Sequence, residues 1–205
     1  MISQPTKREQ TFATIVETAL EIAASEGIGK MSLGEVAKRM GISKSGVFAR
    51  AGSLEALQCA VLDEFDRRFI AEVVVPALLL EPGMPRLQAQ VKAWIKRASD
   101  AGPLAGCLYI AGAFEFDDLD APLRDRVHSG VIAWRAFLRR TVLQAMEVGH
   151  LRPDTDPEQL VFEIYSLIVG LMHDARFMRD PTAAQRMEAA FLRLISTYKS
   201  LGYHG

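Results

Sequence analysis

Apolar residues recur at three- and four-residue steps along almost the whole chain. Phe12, Ile15, Val16, Ala19, Ile22 and Ala23 form one such stripe and predict a first helix over 6–25, ended by Gly27 and Gly29. Ser32, with Glu35 three residues on, reads as a capping box that opens a second helix. Its inward stripe is Leu33, Val36, Ala37 and Met40, and Gly41 stops it. Ser43 caps a short third helix that ends near Arg50. Gly52-Ser53 restarts the chain, and Leu54, Leu57, Val61, Leu62, Phe65 and Phe69 mark a long fourth helix reaching residue 75, just before Pro76.

Five more helices are predicted over 86–101, 104–116, 122–148, 157–178 and 182–201. Gly102-Pro103, the 117–122 turn, 149–153 and Asp180-Pro181 separate them, and Asp120 is placed to cap the helix that Pro122 opens. The fold class is therefore all-α, with about nine helices: an N-terminal three-helix head and a C-terminal helical body. The expected domains are 1–52 and 53–205. No strand, internal repeat or low-complexity segment is expected.

The second and third helices, joined by Met40-Gly41-Ile42-Ser43, fit a helix-turn-helix over 33–50. Ala37 lies where the helices cross closely. Gly41 opens the turn, where a left-handed backbone is cheapest without a Cβ. Ile42 is expected to plug the turn into the core, and Val47 to anchor the third helix on the second. Lys44, Ser45 and Arg50 then face outward, and a recognition helix meets base edges with its N-terminal residues while its amides and the Ser43 hydroxyl meet phosphate.

Charge adds a little to this picture. The chain of 205 residues has a net charge of −1, but residues 1–52 hold seven Lys/Arg against five Glu and the remainder 17 basic against 20 acidic residues. A mildly basic head on an acidic body suits a protein whose head alone touches phosphate. The two cysteines, Cys59 and Cys107, form no CxxC or Cys/His cluster, so neither a zinc finger nor a disulfide framework is expected. Reduced thiols, the lack of an apolar signal region and the lack of a run of ~20 apolar residues predict a cytoplasmic protein with no membrane partner.

The segments TIVETALEIAASEGIGKMSLGEVAKRMGISKSGVF and SLEALQCAVL, within residues 8–62, resemble the N-terminal domain of TetR-type (tetracycline-repressor-like) transcriptional regulators. The resemblance implies a DNA-binding head, a fourth helix linking it to the body, and a body that binds a small ligand and dimerises through its last two long helices. The candidate DNA contacts are Ser32, Ser43, Lys44, Ser45, Gly46, Phe48, Arg50 and Ser53. Four positions depart from the family pattern. Phe48 stands where a Tyr usually holds a phosphate, Arg50 where His is common, Ala51 where Phe is frequent, and Leu54 where a Lys usually contacts the backbone.

The resemblance also implies a largely apolar effector cavity in the body. Trp94, Cys107, Ile110, Phe114 and Val131 are candidate lining residues, together with Trp134, Leu138, Ile168 and Met172. Taken singly, the aromatic residues among them read first as core, since such side chains usually fill interiors. Tyr109, His128, Tyr165, His173 and Arg176 are further polar candidates, and Cys107 reads either as packing or as a redox sensor. Leu160, Ile164, Leu167 and Leu171 form a stripe on the eighth helix, and Phe191, Leu194, Ile195 and Tyr198 one on the ninth. These stripes bury against the chain's own core or, as the resemblance implies, in a two-fold four-helix dimer interface.

No metal site, cofactor motif or enzyme signature is present: no phosphate loop, GxSxG or HExxH. The expected protein is a non-enzymatic regulator, in the family's commoner mode a repressor. A homodimer would bind a near-palindromic double-stranded operator and be released by a small, largely apolar effector. Two alternatives stand beside it: a dimeric small-molecule-binding protein whose head has weakened DNA affinity, and an all-helical enzyme with dispersed residues.

Overall fold

In the computed structural model, which describes residues 6–100, 106–118 and 122–203, the chain is all-α. The helices are α1 (Lys7–Glu26), α2 (Leu33–Met40), α3 (Lys44–Ala51), α4 (Leu54–Phe69), α5 (Val75–Leu78), α6 (Met84–Ser99), α7 (Leu108–Glu115), α8 (Pro122–Glu147), α9 (Pro157–Met172) and α10 (Ala183–Tyr198). A π-helical turn, Ile70–Val74, joins α4 to α5, and a second, His173–Met178, extends α9. Counting these extensions with their helices gives the expected nine helical runs among the described residues. The expected break at Gly102-Pro103 and the cap at Asp120 lie outside those residues.

Pro76 was expected to end the fourth helix near residue 75, yet the run continues to Leu78. Proline has no N–H to donate and its ring crowds the carbonyl four residues back. The wider π turn just ahead of it accommodates both, so the helix is re-registered rather than ended. The only β-type pairing among the described residues is the isolated bridge Leu151–Lys199. It ties the α8–α9 connection to the segment after α10 through Arg152 N to Tyr198 O (2.9 Å) and Ser200 N to His150 O (3.1 Å).

Packing groups the chain into two compact units, Met1–Arg68 with Cys107–Ser129, and Phe69–Gly106 with Gly130–Gly205. In the first, α1 packs on α2 and α3, and Ile15, Leu20, Ile22, Leu57 and Leu62 are among its fully buried residues. Three polar ties complete this unit. Gln58 Nε2 donates to the Ile28 carbonyl (3.2 Å). The Gly29 amide donates to Glu115 Oε1 at 2.9 Å, where a Cβ on Gly29 would stand 2.4 Å from that oxygen. Arg126 donates to the Tyr109 hydroxyl (2.7 Å) and to Asp63 (2.8 Å) and Asp66 (2.7 Å), fastening α7 and α8 to α4. Burial, and then Asp66 beside it, pushes the Tyr109 phenol above its ordinary range, so it stays protonated. Arg126→Met leaves both carboxylates without that partner. It is expected to lower stability by about 1–2 kcal/mol, the value of charge-assisted bonds that remain partly wet, as read by urea unfolding.

Arg67 and then Arg68, through charge-assisted hydrogen bonds, hold the Glu64 carboxyl down from 4.5 to about 2. Its folded-state value is depressed, so the stability it contributes is complete above about pH 4.5 and is lost as pH falls toward about 2. Glu64→Gln is expected to flatten the acid limb of the stability profile in that window and to leave the slope near neutral pH unchanged.

In the second unit α6 packs on α9 and α10, and α10 on α9. Leu87, Val91, Leu138, Leu160, Ile164 and Ile168 lie in its core. Asp156 caps α9 by accepting from the amides of Glu158 and Gln159, with Pro157 in the first turn. Gly83, which opens α6, is required by both backbone and space. Its φ is +101°, and a Cβ there would lie 2.4 Å from His150 Nδ1 and 2.8 Å from Val148. The same His150 nitrogen accepts from the Met84 amide at 3.1 Å. Gly83→Ala is therefore expected to cost about 2–4 kcal/mol of unfolding free energy, combining left-handed strain with a displaced ring.

Candidate functional site

The chemistry of the head begins with three serines. Ser32 Oγ accepts from the Glu35 amide at 3.1 Å, Ser43 Oγ from the Gly46 amide at 3.0 Å and Ser53 Oγ from the Ala56 amide at 3.0 Å. Each hydroxyl thus satisfies one free amide at the start of α2, α3 or α4 and retains a proton to donate. All three serines are exposed. The capping box expected at Ser32 is only half formed, because the Glu35 carboxylate turns to Arg39 (3.0 Å). A complete box stands instead at Thr6 and Glu9, at the start of α1.

Gly41 ends α2 in the left-handed region, φ 65° and ψ 29°, with its amide and that of Ile42 returned to the carbonyls of the last turn. Val36, Ala37 and Val47 are buried, as the motif requires. Ile42 does not plug the core as expected: it is 38% exposed. The glycine turn closes on backbone hydrogen bonds and needs no apolar plug.

Burial of Val47 and Ala51 leaves Lys44, Ser45, Phe48, Ala49 and Arg50 exposed, with Gly46 half-buried. Ser45 Oγ lies 3.1 Å from Ser43 Oγ. Arg50 donates back to the Gly46 carbonyl (3.0 Å), so its guanidinium lies along its own helix with donors to spare. Phe48 is 58% exposed, an apolar ring on the outward face. Arg39 is committed to Glu35 and Glu26, which leaves Lys44 and Arg50 as the cations that α3 itself presents.

The expected effector residues divide between the two units. Cys107 and Ile110 are buried in the first, where Phe114 is 68% exposed. Trp94, Trp134, Leu138, Ile168 and Met172 are buried in the second, with Val131 half-buried. There the two tryptophans form a cluster with Phe69 and Phe137. Ring centroids lie 5.4 Å apart for Phe69–Trp94, 5.1 Å for Phe69–Trp134, 5.7 Å for Trp94–Trp134 and 5.8 Å for Trp134–Phe137. Sequence reasoning missed Gln90, which is fully buried and donates to Thr141 Oγ1 at 2.7 Å. The signal was available: Gln90 lies one helical turn before Trp94, on the same face. Of the other polar candidates, Tyr109 belongs to the Arg126 network, while His173 and Arg176 are exposed. Among the described residues no group of three or more His, Cys, Asp or Glu could hold a metal ion.

Five of the eight expected dimer residues, Leu160, Ile164, Leu171, Phe191 and Ile195, are buried in the chain's own core. Leu167, Leu194 and Tyr198 are half-buried, and Tyr198 donates to Glu163 (2.8 Å), clasping α10 to α9. Each helix carries a second, exposed stripe: Phe162, Ser166 and Gly170 on α9, and Ala189, Leu192 and Ser196 on α10. These repeat at the three- and four-residue steps of one helical face.

An N-terminal helix-turn-helix continued by an all-helical body defines the class of TetR-type transcriptional regulators. The family model described as "Tetracyclin repressor-like, C-terminal domain" matches residues 83–191, over half of the 205-residue chain, and the chain belongs to that family. No curated protein sequence matches it significantly. Among solved structures, the chain is similar to a TetR-family transcriptional regulator from Cytophaga hutchinsonii (TM-score 0.82, 17% identity, covering 96% of this chain and 98% of that one). It is likewise similar to a TetR transcriptional regulator from Chloroflexus aurantiacus J-10-FL (TM-score 0.81, 24% identity, 93% and 94% covered). A third similar structure is AibR in complex with isovaleryl coenzyme A and operator DNA (TM-score 0.70, 18% identity, 93% and 99% covered). No helix among the described residues is long and apolar enough to cross a membrane.

Proposed function

We propose that this protein is a ligand-controlled transcriptional repressor. Residues 1–52 read operator DNA, and residues 53–205 bind a small, largely apolar effector and form a homodimer. The observation that carries this reading is the surface of α3. A left-handed glycine turn and a buried Val47 present Lys44, Ser45 and Arg50 beside a serine-capped helix start. Positive charge, hydroxyl protons and helix amides there suit phosphate and base edges. The protein acts in the cytoplasm, on a near-palindromic site whose half-sites match the two-fold axis.

The dimer forms through the exposed stripes centred on Phe162 and Leu192, flanked by small residues that allow close helix approach and edged by Leu167, Leu194 and Tyr198. Effector binding favours one of two arrangements of the body and thereby the spacing of the two heads, through its different affinity for each. AibR, solved with an acyl coenzyme A and operator DNA, supports a body and head of this fold serving both ligands. The reaction chemistry of an enzyme has no part in this reading.

A mobility-shift titration over a salt series, with DNA from upstream of the protein's own gene, tests it. The expected result is retardation whose log affinity falls linearly with log salt, by about 0.9 per phosphate contacted. Absence of any salt-dependent retardation would count against it. A second reading, a dimeric small-molecule-binding protein with weakened DNA affinity, is favoured by the exposed ring of Phe48 and by the half-buried Leu54, neither of which can bond a phosphate. Retardation too weak to survive physiological salt would favour it.

A further inference from the structure

The aromatic cluster of the second unit holds unmet polar groups. Trp94 and Trp134 are 2% and 9% exposed, and neither indole N–H has a hydrogen-bond acceptor. The buried Gln90 Oε1 likewise has no donor. The hydroxyl of Thr141 donates to the Phe137 carbonyl (3.3 Å) and so must accept from Gln90 Nε2. This orients the amide and leaves its oxygen over. Gln90 and Trp94 are one turn apart on α6, and Trp134, Phe137 and Thr141 lie at three- and four-residue steps on α8. The residues that carry the three unmet groups therefore line one helix pair, joined by the Gln90–Thr141 bond and the contact of the two indole rings, 5.7 Å between centroids.

Buried polar groups are nearly always paired, and each unpaired one costs free energy in an apolar interior. Two unmet donors on rings in contact call for an acceptor. The unpaired amide oxygen in the same interior disfavours an anion, and the buried cation one turn beyond Trp94, Arg97, is already paired with Glu72 (2.5 Å) and the Gly106 carbonyl (3.3 Å). We propose that the interior between α6 and α8 takes a neutral, largely apolar molecule bearing a carbonyl-type oxygen, which accepts from the indole N–H groups of Trp94 and Trp134. This rests on the reading of the second unit as effector-binding, and gives that effector a chemical class. The aromatic rings supply the apolar contact, and the two indoles fix the oxygen's position.

The chain has two tryptophans and four tyrosines, so emission excited on the red side of the tyrosine band reports on this cluster alone. The full-length protein is titrated with two matched sets: decane, 2-decanone and decanoate; and decalin, 2-decalone and decalin-2-carboxylate. In at least one set the ketone is expected to bind about tenfold more tightly than both the hydrocarbon and the carboxylate. Trp94→Phe and Trp134→Phe should each reduce that preference while hydrocarbon binding persists, with the remaining tryptophan as reporter. Equal binding of ketone and hydrocarbon, preference for the carboxylate, or no binding of any of the six would overturn the proposal. Mobility shifts of the ligand-free protein are measured alongside. Retained DNA binding without a ketone preference would sink the effector chemistry alone, whereas loss of DNA binding would count against the regulator reading instead.

Discussion

If the proposed dimer forms through α9 and α10, replacing both Phe162 and Leu192 by glutamate is expected to leave the protein monomeric at micromolar concentration. Each wild-type side chain contributes about 1.5–3 kcal/mol when buried from water. A two-fold axis would count every substitution twice, so the double variant would remove four apolar side chains and set four carboxylates against one another. An unpaired charge costs several kcal/mol to bury, so association is lost rather than trimmed. The monomer itself should stay folded, because both positions are exposed and the core stripes Leu160–Ile164–Ile168 and Phe191–Ile195 are untouched. Sedimentation equilibrium reads the mass and circular dichroism the helix content. A folded variant that remains dimeric would place the interface elsewhere. Monomerisation should also weaken operator binding by about two orders of magnitude or more, since the second head no longer engages at the effective concentration set by the first.

The double substitution Lys44→Ala, Arg50→Ala is expected to give the second large effect, at the DNA itself. A charge-assisted hydrogen bond contributes about 1.5–3 kcal/mol, so losing both cations should reduce operator affinity by about 100-fold or more per head. The salt dependence should also fall, by about one unit of slope for each phosphate contact removed. Arg50 spends one donor on the Gly46 carbonyl (3.0 Å) and has others free, so its loss should leave the fold of α3 intact. Unchanged affinity and slope would remove α3 from the interface. The converse substitution, Phe48→Tyr, adds one hydroxyl to an exposed ring and should tighten binding several-fold if that ring lies against the backbone.

Much of this architecture was legible because single residues imposed it. Gly41 stops α2 since only a residue without a Cβ takes the left-handed turn freely, and the serines at 32 and 43 open helices because each hydroxyl accepts from an otherwise free first-turn amide. Ile42 was misread because apolar character was taken for burial, when the turn closes on its own backbone. Pro76 was read as a terminator because the sequence carries no sign of the π turn that absorbs it. Glu35 was read as a capping partner although Arg39, one turn on, competes for the same carboxylate.

The body was less legible for a physical reason. Its strongest apolar stripes, Leu160 to Leu171 and Phe191 to Ile195, bury against the chain itself, and periodicity cannot say which surface receives them. The faces turned outward on α9 and α10 mix Phe162 and Leu192 with serine, glycine and alanine, so their pattern is weak by any hydrophobic count. Gln90 escaped notice because a buried polar residue inside an apolar helix face breaks the pattern used to find the core. Trp94 and Trp134 were singled out, but only packing brings α6 and α8 together and reveals that both indoles lack an acceptor.

The central claim, that the helix-turn-helix reads DNA as part of a two-fold dimer, is tested most directly by selecting binding sites for the full-length chain from a pool of random duplexes at physiological salt. The expected result is enrichment of one near-palindromic sequence whose half-sites are about one helical turn, ~10–10.5 base pairs, apart or a multiple of it. Failure to enrich any sequence over repeated rounds would contradict it.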